Sequence, residues 1–297
     1  MTEPTLTEPN GVTPTVVAGV RRSTRLKELI HREGSAVVLN GPSTVRVATL
    51  MEALGAEVIY VGAGNVLGGI LGRPNDSTIT MTESVLIAKW YCDALSIPVW
   101  IDVDAGFGGP PHVERTVREL AAIGIAGMTL EDHPFVDAGP EHRAGAFVIP
   151  LDEAVEKYRC AAEVRDSIDP DIQLAARCGA LGAANGGGIE GTVERLRAYR
   201  SAGADISYVD VHSLDELTAL RDAIDGPLMT GTAYLARDLL ASDAASLSLC
   251  AVHSRNPTHL LQKLERATYS AFLSSGAGAV RELDARLSVV LREMGLI

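Results

Sequence analysis

Eight short apolar runs, amphipathic segments between them, and acidic or glycine-rich residues just beyond the runs predict an α/β protein, a TIM-type (β/α)8 barrel. Buried strands alternating with helices make parallel βαβ units, and 297 residues with 46% hydrophobic content are enough for one such domain. In this fold the residues that follow each strand face one shared mouth, so positions distant in the chain converge there.

Residues 1–22 carry Pro4, Pro9, Gly11 and Pro14 with little periodicity, and they read as a mobile tail before a single domain over 23–297. A helix over 23–31 places Leu26, Leu29 and Ile30 on one face. The first strand, 36–40, leads into a helix over 44–54 that Gly55 can close. The second, 57–61, ends in Gly62-Ala63-Gly64, and a polar loop with Asn75 and Asp76 precedes a helix over 83–95. The third strand, 98–104, is followed by a helix over 113–123, and the fourth, 126–130, ends in Glu131-Asp132-His133. Residues 134–150 hold Gly139, Pro140 and Gly145 without helical period, and read as a loop long enough to act as a lid. The remaining strands are 172–176, ending in Arg177-Cys178-Gly179; 205–209, ending in Asp210-Val211-His212; 227–229; and 247–252. Two further helices, 258–273 and 280–294, exceed what one barrel needs and suggest packing on another subunit.

The formal charge of -12 argues against nucleic-acid or anionic-membrane surfaces, which would want clustered Lys and Arg. No run of 18 apolar residues and no secretory signal pattern is visible. Cys92, Cys160, Cys178 and Cys250 form no CxxC or Cys/His pair, so neither zinc nor a disulfide framework is indicated, and a reducing cytoplasm is expected.

Asp102 and Asp104 lie two apart at the end of a strand and therefore point the same way. Two carboxylates on one buried face repel each other and need a proton or a cation between them, for which a hard ion such as Mg2+ is suited. Alone, Asp-x-Asp is a weak motif that fits a solvated strand-to-helix loop better than a metal site. With Gly62, Glu131, Arg177 and Asp210 converging on the same mouth, the set suits a metal plus an anionic substrate.

The stretch Asp102-Val103-Asp104-Ala105-Gly106-Phe107-Gly108, Gly124-Ile125-Ala126-Gly127 running into Leu130-Glu131-Asp132, Arg177 after an apolar strand, and Ala202-Gly203-Ala204-Asp205 together resemble the isocitrate lyase and phosphoenolpyruvate mutase superfamily. The similarity runs in order from about Leu26 to Leu273. It implies a barrel whose terminal helix is swapped between subunits of a homodimer or homotetramer, and chemistry through a metal-stabilised enolate of a small carboxylate. By motif, Asp102, Asp104 and Glu131 would hold Mg2+ or Mn2+. Gly62, Ala63 and Gly64 would offer N–H groups to the substrate carboxylate, and Arg177 would pair with the same or a second anion.

Departures from the pattern narrow the chemistry. Ala138-Gly139-Pro140-Glu141-His142 stands where isocitrate and methylisocitrate lyases carry Lys-Lys-Cys-Gly-His, with Pro140 at the cysteine position. Phosphoenolpyruvate mutase has Asn on this loop and His after the sixth strand, where this chain has Pro140 and Asp210. The resemblance therefore implies a lyase or decarboxylase of a 2-hydroxy or 2-oxo carboxylate. Phosphonopyruvate-type P–C chemistry and an inactive barrel that only binds are the alternatives. Glu141 and His142 fit either a solvated pair or a lid-borne acid/base. His212 fits either a group reaching the mouth or a cap on the helix from Ser213, whereas His133 reads as a structural partner. Ala183-Ala184-Asn185-Gly186-Gly187-Gly188 lacks GxxxxGK[ST] and reads as a mobile loop at the mouth rather than a phosphate loop.

Overall fold

A computed structural model describes residues 20–62, 70, 72, 78–134, 147–235, 239–254 and 258–295. These residues form two compact units that divide between Arg255 and Asn256.

In the first unit, eight parallel strands make one sheet: β1 (Val37–Leu39), β2 (Ile59–Val61), β3 (Val99–Asp102), β4 (Gly127–Glu131), β5 (Gln173–Arg177), β6 (Ile206–Asp210), β7 (Leu228–Gly231) and β8 (Ala251–His253). Their order is β1-β8-β7-β6-β5-β4-β3-β2. Tyr60 N–H donates to Asn40 O across the remaining seam at 3.3 Å, which brings the sheet almost full circle into the expected (β/α)8 barrel. Every residue of β2, β3 and β4 is buried, as strands wrapped by helices and filled from within must be.

Helix α1 (Arg22–Ile30) turns Leu26, Leu29 and Ile30 into the cluster that fills the barrel, alongside Trp100, Tyr208 and Met229. A Cβ on Gly127, at the start of β4, would meet Leu26 at 2.7 Å, so glycine there lets α1 plug the end opposite the mouth. Helices α2 (Val45–Ala53), α3 (Met81–Ala94), α4 (Pro110–Ala122), α5 (Leu151–Ile168), α6 (Gly188–Ser201), α7 (Leu214–Ala223) and α8 (Ala241–Ser246) follow strands in turn. Thr80 and Glu83 start α3 with a reciprocal capping box two residues before the predicted start. Pro110 occupies the first turn of α4, where its missing N–H costs nothing, and starts that helix earlier than its apolar pattern indicates.

Most strand bounds shift by one or two residues from expectation, and two of the shifts have a backbone cause. β3 ends at Asp102, because Asp104 adopts φ 46° and the chain turns. β8 begins only at Ala251, because Ser248 adopts φ 48° and the apolar run 247–250 serves first as a turn. The 183–188 stretch is held rather than loose: Asn185 accepts from Val148 N–H at 3.0 Å and donates to Val148 O at 2.8 Å.

The second unit is α9 (Thr258–Glu293), a helical run broken at Gly276, φ 73°, between the two expected helices. Among the described residues no helix is long and apolar enough to cross a membrane.

A half-buried ion pair ties the β5 and β6 starts together. Arg165 of α5 donates to Ile172 O at 2.9 Å, to Gly203 O at 3.2 Å, and to Asp205, whose carboxylate also accepts from Leu174 N–H at 2.8 Å. Removing one partner of such a pair strands the other's charge. With Asp205 partly exposed, Arg165→Met should cost about 2 kcal/mol of apparent stability in urea unfolding; an unchanged midpoint would contradict this.

Candidate active site

The strand register brings the mouth residues together. Glu131 lies opposite Arg177, Arg177 opposite Tyr208, and Asp210 opposite Gly231 on neighbouring strands. Arg177 is the hub. Its Nη1 donates to Glu131 Oε1, and its Nε and Nη2 donate to Asp210 Oδ2 at 3.1 and 2.7 Å. Asp102 Oδ2 is 3.7 Å from Nη1, and the Tyr208 ring lies 5.1 Å from the guanidinium carbon. Fork-shaped guanidinium donors satisfy several carboxylates at once in fixed geometry.

Asp102 and Asp104 meet by a different route from the expected strand alternation. The backbone N–H of Asp104 donates to Asp102 Oδ1 at 3.0 Å, and Asp104 then leaves the strand through its left-handed turn, a conformation Asp tolerates. Below the turn, the buried ammonium of Lys157 donates to Ala105 O. Burial lowers the Lys157 pKa to about 8.

Asp104, Glu131 and His133 each offer a buried ligand atom, all within 4.8 Å of one another. His133 Nδ1 lies 2.8 Å from Pro134 O, a group that can only accept, so Nδ1 carries the proton. Its Nε2, which offers a lone pair in the neutral ring, is buried without a hydrogen-bond partner among the described residues and sits 3.7 Å from Glu131 Oε2. An orphaned acceptor beside two carboxylates fits a divalent cation, with Asp102 adjacent as a further oxygen donor. His133 thus joins the acid cluster rather than serving only as a structural partner. The spacing Glu131-x-His133 at a strand end carried that signal.

Burial, reinforced by Asp102, pushes the Asp104 carboxyl up to about 7. Burial also raises Glu131 to about 8, against the pull of Arg177. A cation seated between them would compete with protons for both carboxyls.

Gly62 is buried just past β2. Ala63, Gly64, Asn75, Asp76, Pro140, Glu141 and His142 lie outside the described residues. His212 does not join the acids: it is exposed, stacks 5.2 Å from Tyr234, and its backbone N–H donates to Glu216 at 2.8 Å. Nor does its side chain cap α7, since Ser213 takes that role by accepting from Glu216 N–H.

Two groups escaped sequence reasoning. His253, the last residue of β8, places Nδ1 3.1 Å from the Tyr208 hydroxyl and its ring 4.5 Å from Tyr60. Extending the eighth strand by one residue would have brought it to the mouth. Asp132, fully buried, accepts from Tyr199 O–H at 2.6 Å and Gly179 N–H at 2.8 Å, locking the end of β4 to the chain beyond β5. Its partners lie 47 and 67 residues away, and no local pattern announces them.

Fold and site define a (β/α)8 barrel whose mouth joins an acid cluster to one arginine. Residues 26–271 match the phosphoenolpyruvate phosphomutase family. The chain belongs to that family, within the isocitrate lyase and phosphoenolpyruvate mutase superfamily. It is 32% identical over 214 residues to an oxaloacetate decarboxylase of Rhodopseudomonas palustris strain BisB18, covering 68% of this chain and 70% of that one. It is 31% identical over 203 residues to a 2,3-dimethylmalate lyase of Eubacterium barkeri, covering 68% of each. A crystal structure of phosphonopyruvate hydrolase in complex with oxalate and Mg2+ shares the fold with a TM-score of 0.77 at 24% identity, over 93% of this chain and 95% of that one.

The raised carboxyls give a pH signature. Between their unfolded pKa values near 4 and their folded values of about 7 and 8, the native state binds more protons than the unfolded one, so without metal stability falls as pH rises through this window. A cation that replaces those protons gains most where they have left. Mg2+ should therefore raise Tm more at pH 8 than at pH 6; an equal or reversed increment would contradict the assignment.

Proposed function

We propose that this protein is a Mg2+- or Mn2+-dependent carbon–carbon lyase or decarboxylase acting on a small 2-hydroxy or 2-oxo carboxylate. The observation that carries the reading is the buried convergence of Asp104, Glu131 and His133 beside Arg177. Relatives named oxaloacetate decarboxylase and 2,3-dimethylmalate lyase support the reaction class.

Asp104, Glu131 and His133, with Asp102 beside them, would hold the cation. When bound, it would supply Lewis-acid polarisation of the substrate's carbonyl or alkoxide oxygen. Arg177 commits three of its five N–H groups to Asp210 and Glu131, which leaves donors to orient a substrate carboxylate. Gly62, Ala63 and Gly64 are proposed as backbone donors to the same anion. Bond cleavage next to the carbonyl leaves an enolate, and a decarboxylase needs no lid cysteine because water or a lid group such as Glu141 or His142 can return the proton. Asp210 acts through Arg177. His212, exposed and apart from the acids, is proposed to act only on bound substrate.

Association into a homodimer or homotetramer is part of the proposal, supported by the apolar Leu264, Phe272, Leu273, Val289 and Val290 along α9. A reducing cytoplasm is supported by four unpaired cysteines.

The test is turnover of oxaloacetate, 2,3-dimethylmalate and 2-methylisocitrate with Mg2+, alongside exchange of pyruvate methyl protons with heavy water followed by proton NMR. Wild type should turn over at least one of these and catalyse the exchange, and Asp104→Ala should lose at least about 100-fold of either activity. Mg2+ binding with neither activity would sink the enolate reading. Absence of Mg2+ binding would favour a barrel that only binds.

A further inference from the structure

Gly231 ends β7 directly opposite Asp210 of β6. Its φ is not positive, so backbone conformation does not call for glycine. Space does. A Cβ on Gly231 would lie 1.9 Å from Asp210 Oδ1 and 3.1 Å from its Cγ, with the Tyr208 hydroxyl at 3.3 Å. The Asp210 carboxylate thus lies across the Gly231 Cα, in the volume any other residue would fill. Glycine weakens a strand interior, and its presence there marks a close approach.

What the carboxylate does in that space links it to the site. Through Oδ2 it accepts from Arg177 Nε and Nη2, and through Oδ1 it receives the Tyr208 hydroxyl at 3.4 Å. Glu131 and Asp102 compete for the same guanidinium from the other side. By engaging two N–H groups, Asp210 limits how tightly Arg177 can close on Glu131 and Asp102. Displaced from its seat, Asp210 would release Arg177 toward those acids and away from any bound anion.

We propose that Gly231 is a positioning residue: the side chain it lacks is the seat of the Asp210 carboxylate, which holds Arg177 in register with the acid cluster. The consequence for ligand binding rests on the metal-dependent reading above, whereas the steric claim stands apart from it.

A double-mutant cycle on the full chain tests this with wild type, Gly231→Ala, Asp210→Ala and the double variant. Thermal midpoint and the affinity of the Mn2+-loaded protein for oxalate, by titration calorimetry, are measured for each. Gly231→Ala should lower the midpoint by several degrees and weaken oxalate binding about tenfold or more. In the Asp210→Ala background, where the clash has gone, the same substitution should shift the midpoint by no more than about 1 °C and leave oxalate affinity unchanged. Equal losses in both backgrounds would assign Gly231 to strand packing and overturn the proposal, as would no loss in wild type. If Gly231→Ala alone fails to fold, the double variant must recover a cooperative transition, and failure there also overturns it. Wild type that takes up no oxalate with Mn2+ would refute the metal-dependent reading, while the thermal comparison would still decide the seat.

Discussion

Three carboxylates, from Asp102, Glu131 and Asp210, surround the Arg177 guanidinium at the barrel mouth with Asp104 clustered beside Glu131, and the acidity gathered there constrains everything around it. Three of the four are buried. Like charges taken out of water raise one another's pKa or recruit a counter-ion. Arg177 answers part of this charge, protons on Asp104 and Glu131 answer more near neutral pH, and a divalent ion would answer it better. His133 Nε2, buried without a hydrogen-bond partner among the described residues, points to the same need.

The rest of the barrel keeps this costly arrangement from relaxing. Parallel register sets Glu131 beside Arg177 and Asp210 beside Gly231, and the Arg177 side chain reaches Asp210, two residues beyond its own partner Tyr208. Asp132, Tyr199 and Gly179 pin the strand ends behind them, and Tyr158 donates to Leu130 O at 2.8 Å from α5. Lys157 holds the turn that carries Asp104. At the opposite end α1 seals the barrel with Leu26. These groups have no evident chemistry of their own; they hold the acids and the arginine against their mutual repulsion and attraction.

Much of this was legible in the sequence, because the signals were periodic. Buried strands such as β2 to β6 read as apolar runs followed by helical faces, and the acids sit where such runs stop. Reading failed where a bound depended on backbone conformation rather than on side-chain pattern. Asp104 and Ser248 turn left-handed inside segments that look extended, and Pro110 starts α4 ahead of its apolar stripe. His133 was read as a structural partner although its spacing from Glu131 placed it on the same face, and His253 was passed over because the eighth strand was ended one residue short of it. Gly231 lies two residues beyond the expected seventh strand, and only the position of Asp210 across the sheet gives it meaning.

The most direct test of this account is a crystal of the protein soaked in Mn2+ and oxalate and measured at the manganese edge. The account predicts an anomalous peak bounded by Asp104, Glu131 and His133, with Asp102 beside it, oxalate within reach of Arg177, and Arg177 still held by Asp210. A mouth without a peak, or manganese bound elsewhere with the acids still gathered on Arg177, would contradict it.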